Sequence, residues 1–256
     1  MNAHDTIRAR LGEVVGAFAL LTRLPVSFLP ALPQAQPGAS VWAYPLVGAT
    51  VGALGGAVYW LAHGLSLPPA LATLFALGAM ILFAGALHED GLADAADGLA
   101  GQSPAQSLTI MRDHRIGTYG ALALLLTLGL RATAIALLAK PGLVMAALLA
   151  AGAASRSSAG GLMAALPHAR PDGLSIAAGR PSLGLAAAGI GLAFVIGLLL
   201  LPFGTAAGVV ASAILVASLV GWLAWARLGG QTGDVLGACC QLSECAALTL
   251  LVALAA

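Results

Sequence analysis

The chain has 256 residues, of which 60% are hydrophobic and 8% are charged, and its formal net charge is +1. Because soluble globular proteins carry about 25% charged residues, this composition excludes an ordinary soluble domain and predicts an integral membrane protein. The chain has no basic run and is close to neutral, so we expect it not to bind nucleic acid.

The first predicted element is a short amphipathic or re-entrant helix over residues 11–22, because this apolar stretch is too short to cross a bilayer alone. Arg23 and Pro25 interrupt the stretch. No clear cleavage site follows them, so we do not interpret it as a signal peptide. If this segment did span the membrane, the N-terminus would lie on the opposite side.

Seven longer apolar segments follow, each bounded by glycine, proline, charge or the end of the sequence. Each is close to the roughly 20 residues that a transmembrane helix needs. The segments are residues 41–62, 70–87, 119–139, 143–166, 183–201, 205–226 and 235–254. We therefore predict an all-α fold, a polytopic membrane bundle of about seven helices that forms one domain over residues 1–256.

The basic residues predict the orientation of this bundle. With seven spans, Lys140 falls alone on one side, and the arginines outside the spans lie at or beside the other. These are Arg8, Arg10, Arg23, Arg112, Arg115, Arg170, Arg180 and Arg227. Cytoplasmic loops carry the excess of Lys and Arg, so the arginine-rich side is predicted to face the cytoplasm. The acidic residues of the 87–101 segment, Asp113, Asp172 and Asp234 share that side, which predicts a cytoplasmic active site.

The segment LHEDGLADAADGLAG, residues 87–101, concentrates charge in an otherwise apolar chain. If it is helical, Asp90, Asp94 and Asp97 stand at i, i+4 and i+7 on one stripe, with Glu89 on its flank and His88 next to it. Carboxylates this close repel one another unless a cation lies among them. Oxygen ligands of this kind suit Mg²⁺, with Mn²⁺ as the alternative. A solvated acidic helix face is the competing interpretation.

A second motif, IMRDHRIGTYG at residues 110–120, places Arg112 and Arg115 on either side of Asp113, with Gly117 before the next span. The planar guanidinium groups are suited to phosphate oxygens. Together with the acidic segment they predict a diphosphate bridged by a metal. The alternative is that the two arginines only anchor the loop at the membrane surface.

The third motif, ARLGGQTGDVLGACCQLSE at residues 226–244, has a glycine-rich loop without the Lys-Ser/Thr ending of a P-loop. Gly233 and Asp234 precede an apolar helix that contains Glu244. A carboxylate in a span is costly, about 3 kcal/mol at its centre, so Glu244 is expected to face the bundle interior. It would there contact substrate or make an interhelical hydrogen bond.

Three further arginines need polar surroundings or contribute to the site. Arg131 and Arg156 fall within predicted spans, so each must face a polar interior or extend toward the interface. Arg170, in LPHARPDGL, follows a helix-ending proline on the side of the acidic segment. It is therefore a candidate substrate contact.

The ordered motifs FALLTRLPV, PLVG, LHEDGLADAADGL, MRDHRIGTYG, LPHARPDGL and GGQTGDVLGA resemble the cobalamin synthase family of adenosylcobinamide-GDP ribazoletransferases, over residues 18–244. The resemblance implies a Mg²⁺-dependent enzyme of the bacterial cytoplasmic (inner) membrane. Such an enzyme joins adenosylcobinamide-GDP to α-ribazole or its 5′-phosphate, releases GMP and completes the lower ligand of vitamin B12.

The resemblance also implies residue roles. It makes Glu89, Asp90, Asp94 and Asp97 the catalytic and metal-binding group, and leaves open which of them takes the proton of the attacking hydroxyl. The candidate substrate-binding residues are His88, Arg112, Asp113, Arg115, Gly117, Arg170, Gly233, Asp234 and Glu244. No oligomeric state is predicted.

Two other functions compete with this interpretation. A CDP-alcohol phosphotransferase shares the DxxDG opening found at residues 94–98, but the rest of that family's motif is absent. A cation or solute transporter would distribute polar residues through the bilayer and often repeat its halves. Here the acidic residues concentrate on one side and no internal repeat is visible.

Overall fold

The protein is described by a computed structural model that covers residues 3–26, 32–33, 35–36 and 38–255. Within these residues the secondary structure is helical apart from an isolated bridge between His168 and Gln231. A 3₁₀ turn, Ala39–Ala43, precedes α2. The α-helices are α1 (Ala3–Leu21), α2 (Tyr44–Gly64), α3 (Pro69–Ala84), α4 (Leu87–Gly98), α5 (Pro104–Ile110), α6 (Thr118–Leu138), α7 (Pro141–Ala165), α8 (Leu174–Ala178), α9 (Leu183–Leu200), α10 (Phe203–Leu228) and α11 (Gly233–Ala255).

The predicted spans correspond to helices. In the described part of the chain, six segments are long and apolar enough to cross a membrane: the 3₁₀ turn with α2, and α6, α7, α9, α10 and α11. Counting the bent pair of α3 and α4 as one crossing gives seven. The all-α polytopic bundle is therefore confirmed.

The second predicted span needs a correction. The helix does not run to residue 87, because α3 ends at Ala84 and α4 leaves it at an angle of 87°. Gly85 and Ala86 both adopt left-handed backbone conformations, with φ of 67° and 55°. A left-handed residue interrupts the helical hydrogen-bond ladder, so these two positions form the corner that turns α4 away from α3.

The N-terminal helix is also longer than predicted. It begins at Ala3 rather than at residue 11 and runs for 19 residues to Leu21. Charged side chains extend along it as far as Glu13, which forms an ion pair of 2.8 Å with Arg10. The predicted apolar segment is thus the C-terminal half of a longer amphipathic helix.

Two helices form the centre of the bundle. In α7 and α11, 72% and 67% of the most apolar window is buried, against 22% in α9. Glycine allows α2 to contact α7 closely, because a Cβ atom on Gly48 or Gly52 would overlap the backbone of α7 at Gly152 or Leu148. Such backbone contact between small residues is a usual way to pack membrane helices.

A second close contact positions α4. Its Gly91 faces Gly237 of α11, and a Cβ atom on Gly91 would lie 3.1 Å from the Cα atom of Asp234. The opposite side of α4 packs on α6. Because α4 carries the acidic segment and α11 begins at Gly233, this contact brings two motifs that are distant in sequence to one end of the bundle.

Candidate active site

The structure separates the four carboxylates that the sequence grouped together. Asp90 is exposed on α4 and Asp94, one turn further along, is half-buried. Asp90, Asp234 and Asp97 all repel the charge of Asp94, which confirms that the predicted stripe exists as a local concentration of negative charge. Asp97 and Glu89, however, are engaged by other partners.

Asp97 is an anchor for α6. Its Oδ2 atom accepts a hydrogen bond of 2.7 Å from the backbone N–H of Gly117, and its Oδ1 atom accepts one of 2.9 Å from that of Gly120. These donors belong to the start of α6, where backbone N–H groups have no helical partner. A side chain at either glycine would overlap the carboxylate. Gly117 therefore serves this contact, and the role of Asp97 in a metal shell stays a prediction.

Glu89 belongs to a buried charge network, which comprises Glu89, Arg131, Arg156, Gln241 and Glu244. Nη1 of Arg131 lies 3.2 Å from Oε1 of Glu89, and Nη2 lies 2.8 Å from Oε1 of Glu244. The other oxygen of Glu244 is ion-paired with Arg156. Gln241 accepts a hydrogen bond of 2.7 Å from Arg131 and donates one of 3.0 Å to Glu89.

This buried network ties α4, α6, α7 and α11 together with two positive and two negative charges. Glu244 is 1% exposed, so its predicted orientation toward the bundle interior is confirmed. The interhelical interaction, rather than substrate contact, is what the structure shows for Glu244. Since a buried charge requires a partner, Glu89 acts here as the counter-ion of Arg131, and its catalytic and metal-binding role stays a prediction.

The two arginines of the second motif lie at the surface between α5 and α6. Arg112 is ion-paired with Asp172, and Nη2 of Arg115 lies 2.7 Å from Oδ2 of Asp113. The hydrogen bond from Arg115 lowers the pKa of Asp113 to about 2, and the same bond raises the pKa of Arg115. Arg112 thus fastens this loop to the loop after α7. A phosphate clamp by Arg112 and Arg115 stays a prediction.

A paired backbone segment holds the loop after α7 against the loop before α11. The N–H of Ala169 donates to the carbonyl of Gln231 at 2.9 Å, and the N–H of Gln231 donates to the carbonyl of Pro167 at 2.8 Å. Nε2 of Gln231 also donates to Nδ1 of His168 at 2.9 Å. This pairing fixes the loop that carries Arg170 beside the start of α11.

Arg170 and Asp234 meet at that junction. Nη2 of Arg170 lies 3.3 Å from Oδ2 of Asp234, which also accepts a hydrogen bond of 3.2 Å from the hydroxyl of Thr232. A cavity of about 130 Å³ opens beside them. Its polar lining residues are His88, Asp90, Arg156, Arg170, Ser175 and Asp234. The acidic segment, the LPHARPDGL loop and the start of α11 therefore converge on one site.

Comparison with known proteins gives the family. Residues 13–252 match the family described as cobalamin-5-phosphate synthase. The chain belongs to this family. It is 43% identical over 245 residues to the adenosylcobinamide-GDP ribazoletransferase of Bradyrhizobium diazoefficiens, with 94% of this chain and 93% of that protein covered.

Two further relatives carry the same name. The protein of Mesorhizobium japonicum is 44% identical over 246 residues, covering 94% of this chain and 93% of its own. The protein of Brucella anthropi is 40% identical over 258 residues, covering 94% and 96%. No solved structure matches the chain. The family predicted from the motifs is confirmed, and the chain is an enzyme of the cobalamin-5-phosphate synthase family.

The predicted metal-binding role of Glu89, Asp90, Asp94 and Asp97 stays a prediction, and Glu89 and Asp97 have protein partners in the structure. Among the residues whose positions the structure describes, no group of three or more His, Cys, Asp and Glu side chains could hold a metal ion. Asp90, Asp94 and Asp234 lie near enough to one another for their negative charges to repel, and a cation that substrate helps to bind there stays a prediction. Mg²⁺ usually takes one or two carboxylates, water and substrate phosphates rather than an all-protein cage.

Two residues of this site were not assigned to it from the sequence. Arg156 lines the cavity from α7, and the only sequence signal was a charge within a run of small residues in a span. Gln231 is fully buried, and its hydrogen bonds connect the loop after α7 to the loop before α11. Its position within GGQTGD offered no separate signal, because the partner loop is distant in sequence.

Proposed function

We propose that this chain is an adenosylcobinamide-GDP ribazoletransferase that requires Mg²⁺. It joins adenosylcobinamide-GDP to α-ribazole or its 5′-phosphate and releases GMP. The relatives that carry this name match nearly the whole chain. The observation that carries the proposal is the convergence of Asp90, Asp234 and Arg170, from three separate motifs, at one cavity.

The reaction breaks one phosphoanhydride bond and forms one phosphoester bond. A hydroxyl of the ribazole attacks the phosphorus on the cobinamide side of the diphosphate, and the GMP phosphate leaves with the bonding electrons. A carboxylate of α4, Asp90 or Asp94, accepts the proton of the hydroxyl. Such a transfer depends on positioning and charge neutralisation more than on covalent catalysis by the protein.

Charge balance supports the requirement for a divalent cation. Three carboxylates at the site repel one another, and a diphosphate would add further negative charge. Arg170 neutralises part of the charge of Asp234. When bound, Mg²⁺ would neutralise the diphosphate, and one or two of the carboxylates of Asp90, Asp94 and Asp234 would hold it together with water and phosphate oxygens.

The topology supports an active site on the cytoplasmic side of the bacterial inner membrane. The start of α6, the end of α7 and the start of α11 lie at the same end of the bundle as α4. Lys140 lies between α6 and α7, at the opposite end of those helices. The arginines Arg112, Arg115 and Arg170 are at the α4 end, which the positive-inside rule assigns to the cytoplasm.

Turnover by the purified protein in lipid vesicles tests the proposal. Adenosylcobinamide-GDP and α-ribazole are supplied with Mg²⁺, and GMP and adenosylcobalamin are measured together. Equal amounts of both products are expected, and a CDP-activated lipid with an alcohol acceptor should yield no CMP. Protein that is folded by circular dichroism but forms neither product, or that releases CMP, would contradict the proposal.

A further inference from the structure

The cavity beside Asp90 and Asp234 has an apolar wall. Side chains from the end of α1, the start of α2, α4, α7 and α8 form it: Leu20, Tyr44, Leu87, Met163, Leu174 and Ala178. Its volume is about 130 Å³. An apolar protein cavity of about 150 Å³ accepts a benzene molecule, so this partly open space is on the scale of a flat aromatic group.

Three polar side chains that line the same cavity have unused hydrogen-bonding atoms. Nδ1 of His88, Nε of Arg156 and Nη1 of Arg170 are buried and find no hydrogen-bond partner in the described part of the chain. His88 and Arg156 are only 4% and 3% exposed, so bulk solvent does not satisfy them. A buried polar group without a partner is unfavourable, and a bound ligand that offers a hydrogen-bond partner would remove that cost.

The size of the cavity decides which substrate enters it. A corrinoid is far larger than 130 Å³ and has to remain outside, with its diphosphate near the exposed Asp90. A ribazole-type nucleoside has a flat aromatic base, which suits the apolar wall, and a ribose with hydroxyl groups. Placed with the base inward, the nucleoside directs its hydroxyls toward the carboxylates at the site.

We infer that this cavity is the binding site for the aromatic base of the ribazole acceptor. This inference rests on the proposed function. The apolar wall holds the base, His88 and Arg156 supply hydrogen bonds from the buried side, and Arg170 connects this subsite to the diphosphate at Asp234. The acceptor therefore binds inside the bundle, and adenosylcobinamide-GDP binds over its surface.

A cavity-filling variant tests the inference. Ala159 lines the cavity from α7, so Ala159→Leu occupies space that the base needs. We expect about a tenfold or larger rise in the KM for α-ribazole, in line with the effect of a few carbon atoms in an apolar pocket. The KM for adenosylcobinamide-GDP should change little. Ala165→Leu, at the exposed end of the same helix, is the matched control and should leave both constants unchanged.

A binding measurement separates this inference from the proposed function. Calorimetric titration of α-ribazole into the vesicle-bound protein, without the second substrate, should show binding to the wild type and weaker binding to Ala159→Leu. Wild-type protein that forms no cobalamin at all would overturn the function. Wild-type turnover with an unchanged KM for α-ribazole in Ala159→Leu, or a rise in the KM for adenosylcobinamide-GDP instead, would overturn the inference.

Met163→Ala gives a second variant if Ala159→Leu does not fold. It enlarges the cavity, because Met163 lies in the wall and is 1% exposed. The enlarged cavity should accept an acceptor nucleoside with a tricyclic base better than the wild type does, measured as the ratio of kcat/KM values for the tricyclic and natural bases. An unchanged ratio would count against the inference.

Discussion

Arg170 and Asp234 form an ion pair, with 3.3 Å between Nη2 and Oδ2, that joins the loop after α7 to the first turn of α11. The two residues belong to separate motifs, and Asp90 of α4 lines the same cavity. Their meeting point is where a loop, a central helix and the bent acidic helix come together. The ion pair therefore marks the place where we locate phosphoryl transfer.

Asp234→Asn should lower kcat strongly while the protein stays folded. The change removes one carboxylate from the proposed metal shell and the partner of Arg170, so we expect a loss of about 100-fold, typical for a group that stabilises developing charge. Turnover in lipid vesicles is the measurement. Asp5→Asn, an exposed residue of α1, is the matched control. Equal turnover of Asp234→Asn and Asp5→Asn would show that Asp234 has no role in the active site.

Asp94 and Asp97 should respond differently to the same substitution. Asp97→Asn removes one of two acceptors for the N–H groups of Gly117 and Gly120, so it should destabilise the protein by about 1–2 kcal/mol. Asp94→Asn relieves repulsion from Asp90 and Asp234, so its stability should be maintained or increased while turnover falls. Thermal unfolding in detergent and turnover per folded protein distinguish the two. An equal loss of stability in both variants would contradict this assignment.

Gly91→Ala should separate α4 from α11. A Cβ atom at Gly91 would lie 3.1 Å from the Cα atom of Asp234 and 3.2 Å from that of Gly237, so the helices would have to move apart. Overpacking of this kind costs about 1–3 kcal/mol. The displacement should also lower kcat, because Asp90 belongs to α4 and Asp234 to α11, so the two carboxylates would move apart.

The control for Gly91→Ala is a glycine with open space around it. A Cβ atom on Gly129 of α6 would meet no described atom within 4 Å beyond its own helix backbone and chain neighbours. Since alanine is favoured over glycine inside helices by about 0.5–1 kcal/mol, Gly129→Ala should raise the unfolding temperature slightly and leave kcat unchanged. If both alanine variants behaved alike, the close contact of α4 and α11 would not be important for activity.

Glu244→Gln should destabilise the bundle by leaving the guanidinium groups of Arg131 and Arg156 short of negative charge. Breaking a buried ion pair by removing one partner costs about 3–5 kcal/mol. Combining Glu244→Gln with Arg131→Gln restores the charge balance, so the double variant should be more stable than the sum of the two single changes implies. Additive losses in thermal unfolding would show that the charges are not coupled.

The number and position of the spans could be predicted because hydropathy follows directly from the need to place apolar residues in lipid. The corner at Gly85 and Ala86 could not be predicted, since an alanine at φ 55° carries no sequence signal. The Asp90, Asp94 and Asp97 stripe was predictable from helical periodicity. The groups that face this stripe could not be predicted in the same way.

The assignment of Glu89 shows the same limit. It is adjacent to Asp90 in sequence, yet the helix turns its side chain toward Arg131 in the bundle interior while Asp90 remains exposed. Arg131 is distant in sequence and its span is apolar, so neither residue identifies the other. The composition of the acidic segment therefore indicated the region of the candidate site, and only the packing of four helices divided its carboxylates.

The most direct test of the central claim is the Mg²⁺ dependence of cobalamin formation by the reconstituted wild type. Protein stripped with a chelator is supplied with adenosylcobinamide-GDP and α-ribazole, and Mg²⁺ is then titrated while cobalamin and GMP are followed together. We expect no product before the titration and equal, saturable formation of both products during it. Full turnover in the presence of the chelator would contradict a phosphoryl transfer that depends on a cation bound with the substrate diphosphate beside Asp90, Asp94 and Asp234.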